Sequence, residues 1–403
     1  MGWKVKDVQE QRFRFIEEYD REDVSLSALC QSYGISRPTA YKWIERYQEE
    51  GLGGLQDRSR APHHPARAMA EGVKELILAV KAKHGYWGAR KIVAHLEAHA
   101  PGQDWPAVSS VGELLKQHGL TVARKRRLRP ERTHQPLAHA DEVHRVWSVD
   151  FKGWFRTGDG QRCDPLTLTD NYSRYLLRCQ ALRAETTVQV KPVMEAAFRE
   201  YGLPERIRSD NGAPFASQGG SGLTALSVWW IRLGIVPERI TPGCPQQNGR
   251  HERMHLTLQQ QTADPPAATR RRQQQRFDAF RQEYNQQRPH EALQQKPPAQ
   301  FFRASSRPYP ARLPQIEYPS GWQVRRVCSG GKFRHAGQLP FVSHALVGEV
   351  IGLEPMEDGY WRTWFGGYPL GVLDTTHARI LTASEWQRLL ARKARQTEVQ
   401  DKA

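Results

Sequence analysis

The segment RVWSVDFKGWF, residues 145–155, places an acidic residue inside a predicted strand. Trp147, Val149 and Phe151 alternate with other residues, and their neighbours are aromatic or β-branched, a pattern that predicts a β-strand. Asp150 lies at the centre of this strand, where burial of a carboxylate is costly unless something compensates its charge. The sequence therefore predicts that Asp150 has a specific partner.

Two further acidic residues are predicted to meet Asp150. Asp210 ends a short predicted strand in RSDNGAPF, and Glu252 lies on the predicted helix PQQNGRHERMH. Three bare carboxylates at close range would repel, and their pKa values would rise. Divalent cations remove that penalty, and hard oxygen ligands suit Mg²⁺ or Mn²⁺ in phosphoryl transfer. Singly, each acid is better explained as a capping or ion-paired residue, so the prediction depends on all three converging.

The order of predicted elements places these acids in one α/β unit. Between Val143 and about Ala304 the order is strand, strand, strand, helix, strand, helix, strand, helix, which predicts a mixed five-stranded sheet with helices on its faces. Six parts are predicted along the chain: a helix-turn-helix unit (1–62), a second helical unit (63–123), a basic linker (124–142), the α/β core (143–303), a small β-barrel (304–382) and a charged helix or tail (383–403).

The composition favours a nucleic-acid partner. The net charge of the 403 residues is +16 and the isoelectric point is near 9.8, which favours nucleic acid over a membrane surface. No apolar run is long enough to span a bilayer, and the first residues lack the apolar core of a signal peptide. The five cysteines are far apart, which supports neither a zinc site nor a disulfide framework. We expect a reduced, cytoplasmic protein without a structural metal.

The segment SLSALCQSYGISRPTAYKWIERYQEEG, residues 25–51, has the pattern of a helix-turn-helix. Gly34 supplies the turn and Ser36 a plausible N-cap. The alternative is an ordinary helical hairpin whose polar face meets water. In the first interpretation, four residues of the second helix face a DNA groove: Arg37, Thr39, Lys42 and Arg46.

Two further segments are candidates for DNA contact. Residues 71–121 have helical apolar stripes, which predict either a second helix-turn-helix or plain helical packing. The segment ARKRRLRPERTHQP, residues 123–136, is too densely charged to fold alone, so it is a solvated linker, a phosphate clamp or both. The residues of this basic cluster are Arg124, Lys125, Arg126, Arg127, Arg129 and Arg132.

Five motifs in order resemble one known family. WSVDFKG, LTDNYSRY, RSDNGAPF, PQQNGRHERMH and YNQQRPHEALQQKPP are similar to the catalytic core of bacterial insertion-sequence transposases of the DDE, retroviral-integrase-like superfamily. The resemblance implies a ribonuclease-H-like fold and an acidic triad of Asp150, Asp210 and Glu252. Asp170 matches a family position outside the triad, where we expect a structural role in a turn. Between Asp210 and Glu252 lie 41 residues, more than in the family, and SQGGSG is the expected insertion.

Two other acids compete with Glu252 for the third position of the triad. Glu205 and Glu238 each precede a predicted strand and do not lie on the required helix. Glu252 is therefore the assignment that the resemblance implies.

The resemblance also implies an activity. We expect a transposase that binds the terminal inverted repeats of a mobile element, cleaves its 3′ ends and transfers them into target DNA. The triad would hold two Mg²⁺ ions, with Mn²⁺ able to replace them, and the partners would be double-stranded DNA and further copies of the chain, as a dimer or tetramer on paired ends. We expect it in the bacterial cytoplasm, on the nucleoid. The alternatives are a catalytically silent DNA-binding regulator and a metal-dependent nuclease that does not join ends.

Overall fold

A computed structural model describes residues 8–58, 69–121, 137–217 and 221–400 of the chain. The chain divides into two compact units, Met1–Ala70 and Glu71–Ala403. The predicted basic cluster, residues 124–132, lies outside the described residues. No helix within the described ranges is long and apolar enough to cross a membrane.

The first unit is built from three helices. They are α1 (Val8–Asp20), α2 (Leu26–Tyr33) and α3 (Arg37–Glu50). Gly34 ends α2 in the left-handed region, with φ of 65°, and Ser36 caps α3 by accepting from the Thr39 N–H. Phe15, Trp43 and Ile44 lie in its buried core. The predicted turn and cap are thus confirmed.

Three more helices open the second unit. They are α4 (Glu71–Lys83), α5 (Ala89–His99) and α6 (Val108–Gln117). Ile77, Ile92 and Val111 are fully buried, which agrees with the apolar stripes of the sequence.

The central part of the second unit is a mixed sheet with helices. Its strands are β1 (Val146–Phe151), β2 (Phe155–Arg156), β3 (Arg162–Asp170), β4 (Leu176–Leu182), β5 (Arg206–Ser209) and β6 (Val236–Arg239). Its helices are α7 (Thr187–Tyr201), α8 (Ala225–Arg232), α9 (Gly249–Thr262) and α10 (Arg270–Gln286).

The strands lie in the order β4, β3, β1, β5, β6. β3 is antiparallel to β4 and β1, whereas β5 is parallel to β1 and β6. The mixed character was predicted, but the count of five strands was wrong, because the predicted first strand is two. Gly153, with φ of 90°, interrupts it, and β2 then pairs with β3 further along.

Helix α10 covers the outer edge of the sheet. Gln274 accepts from the Ala181 N–H and donates to the Cys179 carbonyl. Asn285 makes the same pair of bonds with the N–H and carbonyl of Leu176. Side-chain amides thereby occupy backbone groups that an uncovered edge strand would expose.

The three N-terminal helices of the second unit are fixed to α10 and to the segment that follows it. His84 Nδ1 lies 2.9 Å from the carboxylate of Glu283, and the ammonium of Lys91 donates to the Pro289 carbonyl. Burial lowers the pKa of Lys91 to about 7. These contacts join α4–α6 to the α/β part of the unit.

The C-terminal part is a second, antiparallel sheet followed by a helix. Its elements are β7 (Gln323–Arg326), β8 (Val350–Pro355), β9 (Tyr360–Phe365), β10 (Tyr368–Asp374), β11 (Arg379–Leu381) and α11 (Ala383–Gln400). The strand order is β11, β10, β9, β8, β7, and an isolated bridge joins Phe341 to Arg379 of β11. An antiparallel five-stranded sheet is therefore present, and the predicted closure into a barrel stays a prediction.

Helix α8 lies between the two sheets. One face contributes Trp229 and Trp230 to the core of the first sheet. The other contributes Val228 and Ile231 to an apolar cluster with the second sheet, in which Phe365 is fully buried. This explains why α8 is apolar almost all round.

Candidate active site

Asp150 lies on β1, directly opposite Thr167 of β3. The side-chain amide of Asn248 donates to Asp150 Oδ2 at 2.9 Å. Burial first, and then the nearby carboxylates of Asp210 and Glu252, together raise the pKa of Asp150 to about 7. No ion pair within the described residues reaches this carboxylate.

Asp210 lies beside Asp150 because β1 and β5 are parallel. Ser148 pairs with Arg208, so the residues two positions further along each strand are neighbours. Asp210 Oδ1 is buried with no hydrogen-bond partner in the described part of the chain, and burial raises the pKa of this carboxyl. Gly212 lies so close that a Cβ there would be 3.0 Å from Asp210 Oδ2. The glycine of RSDNG therefore leaves room for the carboxylate.

Glu252 lies in the first turn of α9 and is exposed. Its charge acts on Asp150. Among the described residues, however, no three His, Cys, Asp or Glu side chains are grouped closely enough to hold a metal ion. The structure thus brings Asp150 and Asp210 together and leaves Glu252 within electrostatic range, without a closed set of three ligands.

The two aspartates have the properties of cation ligands. Both are acidic groups whose charged form is disfavoured by burial, and one oxygen of Asp210 has no partner. A hard divalent cation would stabilise the charged forms and supply that missing partner. The donor set of carboxylate oxygens fits Mg²⁺ or Mn²⁺.

A buried polar network fixes α9 to the sheet. Nε2 of His251 and Nε2 of His255 each lie 2.6 Å from the hydroxyl of Thr167, which donates to the Asp150 carbonyl at 3.1 Å. Because a hydroxyl has one proton and two lone pairs, both Nε2 atoms must donate to it. The second nitrogen of His251 lies 3.1 Å from the Thr169 hydroxyl.

Both histidines of this network are neutral. Burial lowers the pKa of His251 to about 3 and that of His255 to about 2. The network thus links the helix of Glu252 to the strand beside Asp150. Sequence reasoning missed it and also missed the role of Asn248, although the residues of α9 belong to a recognised motif.

A further acid near the site was also missed. Glu185 lies between β4 and α7, and its charge acts on both Asp150 and Asp210. Burial raises the pKa of Glu185, and Asp164 raises it further. Because Glu185 lies in a loop between predicted elements, no periodic pattern marks it.

The other acids near the sheet have structural partners. Asp170 is fully buried and accepts hydrogen bonds from the N–H of His144 and from the N–H and hydroxyl of Ser173. This confirms its predicted role in the turn. Glu238 forms a buried ion pair with Arg208 at 2.7 Å, and Glu205 lies before β5, at the opposite end from Asp210. Neither rival of Glu252 is directed to the site.

Comparison with known protein families places the three acids in one domain type. A model described as an integrase core domain matches residues 140–245, and a second integrase core model matches 233–298. A helix-turn-helix domain model matches residues 11–63, and a homeodomain-like domain model matches 39–115. The N-terminal region is therefore of the helix-turn-helix type.

The chain is also similar to bacterial proteins of mobile elements. The chain is 26% identical over 285 residues to the insertion element IS407 uncharacterized 31.7 kDa protein of Burkholderia multivorans, which covers 70% of this chain and 92% of the relative. It is 21% identical over 272 residues to the transposase for transposon Tn552 of Staphylococcus aureus, covering 62% of this chain and 55% of the relative. The chain is an insertion-element transposase homologue with an integrase core.

A solved integrase domain is also similar to this transposase homologue. The integrase catalytic core domain of HTLV-2, determined in complex with magnesium, is 16% identical, with a TM-score of 0.32. The similarity covers 40% of this chain and 97% of that domain.

The four residues of α3 that were predicted to bind DNA differ in their surroundings. Arg37 and Lys42 are exposed, although the ammonium of Lys42 lies 5.0 Å from the ring of Trp43. The hydroxyl of Thr39 lies 2.9 Å from that of Ser36, and Arg46 is half-buried with its guanidinium 5.1 Å from the same ring. Of the four residues, Arg37 and Lys42 are thus the more accessible for contact with DNA.

Proposed function

We propose that this transposase homologue cleaves the 3′ ends of its mobile element and transfers them into target DNA. The observation that carries the proposal is the pair of adjacent buried carboxylates, Asp150 and Asp210, whose charged forms are disfavoured without a cation. Together with Glu252 they would hold two Mg²⁺ ions, which Mn²⁺ could replace. When bound, such ions activate the attacking hydroxyl and stabilise the leaving oxygen.

The protein's own residues would orient this site. Asn248 holds one oxygen of Asp150 through its amide. Thr167, His251 and His255 hold α9 against β3, so Glu252 is carried on a helix with a fixed register. No covalent intermediate between protein and DNA is required, because a water molecule and then the freed 3′-hydroxyl act as nucleophiles.

The remaining parts would bind and arrange DNA. We propose that the helix-turn-helix unit (1–62) reads the terminal inverted repeats through Arg37 and Lys42, with the second helical unit (63–123) assisting. Five residues of the basic cluster in the linker (124–142) would contact phosphates only: Arg124, Lys125, Arg126, Arg127 and Arg129. The core (143–303), the small barrel (304–382) and the C-terminal helix or tail (383–403) would complete a dimer or tetramer on paired ends. Its bacterial relatives support a place in the cytoplasm, on DNA.

A cleavage and joining assay tests the proposal. A footprint of the protein on the DNA that flanks its gene first defines the terminal repeat, and labelled ends are then incubated with target DNA and Mg²⁺. The proposal requires both nicked and joined products, their loss in excess chelator, and loss or strong inhibition with Ca²⁺, which tolerates looser coordination. Binding without cleavage would indicate a regulator, and cleavage without joining would indicate a nuclease.

A further inference from the structure

An exposed tryptophan lies at the break between β1 and β2. Trp154 is 55% exposed, although burial of so large an apolar ring would be favourable. The guanidinium carbons of Arg162 and Arg156 lie 5.2 Å and 5.9 Å from the centre of its ring. An exposed indole ring and two cations thus lie together at the surface.

The two arginines are held in place by the hairpin. Arg162 makes two hydrogen bonds, at 2.7 and 2.9 Å, to the buried carboxylate of Asp164. Arg156 donates to the Gly160 carbonyl at 2.7 Å, an uncharged partner. The two arginines are directly opposite each other on β2 and β3, an arrangement of like charges that is unfavourable in a sheet. Asp164 and the nearby Glu185 offset the charge of Arg162. Among the described residues, Arg156 has only the Gly160 carbonyl as its hydrogen-bond partner and remains the cation that favours an anion.

The tryptophan cluster lies close to the acids of the active site. Asp150 is opposite Thr167, and Phe155 is opposite Cys163, four residues further along β3. At about 3.3 Å per residue, Trp154 is therefore on the order of 10 Å from Asp150. The charge of Glu185 acts on both Asp150 and Arg162, which places these two side chains around a common neighbour.

We propose that Trp154, between Arg156 and Arg162, stacks on an unpaired DNA base a few nucleotides from the bond cleaved at Asp150. Successive nucleotides of one strand rise about 3.4 Å in a duplex, and an unpaired strand can extend further, so the separation corresponds to at most roughly three nucleotides. Stacking on an aromatic face tolerates any base, and the arginines would contact the flanking phosphates. This inference rests on the proposed function and adds to it a site for the unpaired strand.

The test measures how tightly the full-length protein binds two DNA probes. One is a short blunt duplex of arbitrary sequence, and the other is the same duplex with a short unpaired tail that carries 2-aminopurine. We expect the protein to quench the fluorescence of the tail and to bind the tailed duplex roughly tenfold more tightly than the blunt one. Trp154→Leu should lose the quenching and the preference while keeping its affinity for the blunt duplex, and Trp154→Phe should keep part of both.

Two further variants complete the design. Tyr172→Leu removes another exposed aromatic ring, in the turn between β3 and β4 at the far end of β3 from Arg162, and should change neither measurement. Arg156→Gln should weaken binding of the tailed duplex and reduce the slope of log affinity against log salt by about one. It serves as the second test if Trp154→Leu melts at a lower temperature than the wild-type protein.

The outcomes separate this inference from the proposed function. Equal wild-type affinity for both probes, or an undiminished tail preference in a folded Trp154→Leu variant, overturns the stacking site and leaves the transposase proposal intact. If Trp154→Leu is unstable, an Arg156→Gln variant with unchanged tail binding overturns it in the same way. Failure of the wild-type protein to bind either duplex also overturns the stacking site, and the cleavage and joining assay on the terminal repeat then decides the proposed function separately.

Discussion

Buried acids in two regions of the second unit differ in what surrounds them. Asp170, at the end of β3, and Glu238, on β6, accept hydrogen bonds from backbone and side-chain groups of the fold. Asp150 and Asp210, side by side on β1 and after β5, have raised pKa values caused first by burial, and Asp210 retains an oxygen without a partner. The protein satisfies the first pair fully and the second only in part, since Asn248 reaches one oxygen of Asp150 and Asp210 Oδ1 has no partner among the described residues.

This difference separates structural from functional acids. A buried carboxylate that receives its hydrogen bonds within the fold contributes to stability, and its loss leaves donors unsatisfied. A carboxylate that is buried without such partners weakens the fold unless a ligand stabilises it, so its presence is explained by binding or catalysis. The two sets should therefore respond to substitution in opposite ways.

The largest effect is expected from removal of a catalytic charge. Asp150→Asn, Asp210→Asn and Glu252→Gln should each lower the cleavage rate by at least roughly a thousandfold, because residues that act as one unit fail together. Asp150→Asn should not lower the free energy of unfolding, since burial already disfavours its charge. Rates of end cleavage, DNA affinity and urea denaturation measure these effects. Near-normal cleavage by any one variant would remove that residue from the site.

The structural acids should show the reverse behaviour. Glu238→Gln leaves the charge of Arg208 buried without its partner, so the free energy of unfolding should fall by about 3–5 kcal/mol. The double variant Arg208→Met, Glu238→Leu, which removes both charges, should recover most of that loss. Urea denaturation of the wild type, the single variant and the double variant measures these differences in the free energy of unfolding. A Glu238→Gln protein as stable as the wild type would break the distinction between the two sets of acids.

The sequence predicted much of this arrangement, and the reason for each failure is physical. Alternation around Asp150 and the position of Glu252 on a helix could be predicted, because each depends on local periodicity. Division of the first strand at Gly153 could not, since a strand with one glycine has the same pattern whether or not it bends. The contact between Thr167 and His251 joins residues 84 positions apart, so only the folded sheet reveals it.

The polar network beneath α9 provides a third test. Thr167→Val removes the hydroxyl that accepts from two buried imidazoles, so α9 should lose its fixed register. We expect cleavage to slow by roughly 10- to 100-fold, as for other groups that orient ligands, with DNA affinity unchanged. Thr167→Ser keeps the hydroxyl and should retain most of the rate. If valine and serine variants cleave equally fast, the network does not position Glu252.

Stabilisation by metal ions tests the unsatisfied pair without DNA. At a Mg²⁺ concentration about ten times the dissociation constant, the wild-type protein should gain about 1.4 kcal/mol of stability over the protein in chelator. Asp210→Asn should gain much less, whereas Asp159→Asn, at an exposed turn residue between β2 and β3, should gain as much as the wild type. Thermal denaturation with and without Mg²⁺ measures the difference. Equal gains in all three proteins would show that the ion binds elsewhere.

The smallest effect is expected in α3. There too, exposed side chains that can contact DNA differ from a side chain that is already hydrogen-bonded within the protein. Arg37 and Lys42 are exposed, whereas the hydroxyl of Thr39 is already bonded to Ser36. Replacing Arg37 or Lys42 with Ala should narrow the preference for the terminal repeat over random DNA by about 1 kcal/mol, roughly fivefold, because contacts to base edges carry sequence information. Thr39→Ala should change the preference less.

Competition titrations at two salt concentrations separate these base contacts from phosphate contacts. Loss of a phosphate contact weakens binding to the terminal repeat and to random DNA alike, and it reduces the salt dependence of the affinity. Loss of a base contact narrows only the difference in affinity between the repeat and random DNA. If the Arg37 and Lys42 variants keep the full preference for the terminal repeat and Thr39→Ala loses it, exposure does not identify the residues of α3 that contact the bases. If all three keep it, α3 does not read the repeat, and the helices of residues 71–121 become the better candidate, because the homeodomain-like match extends into them.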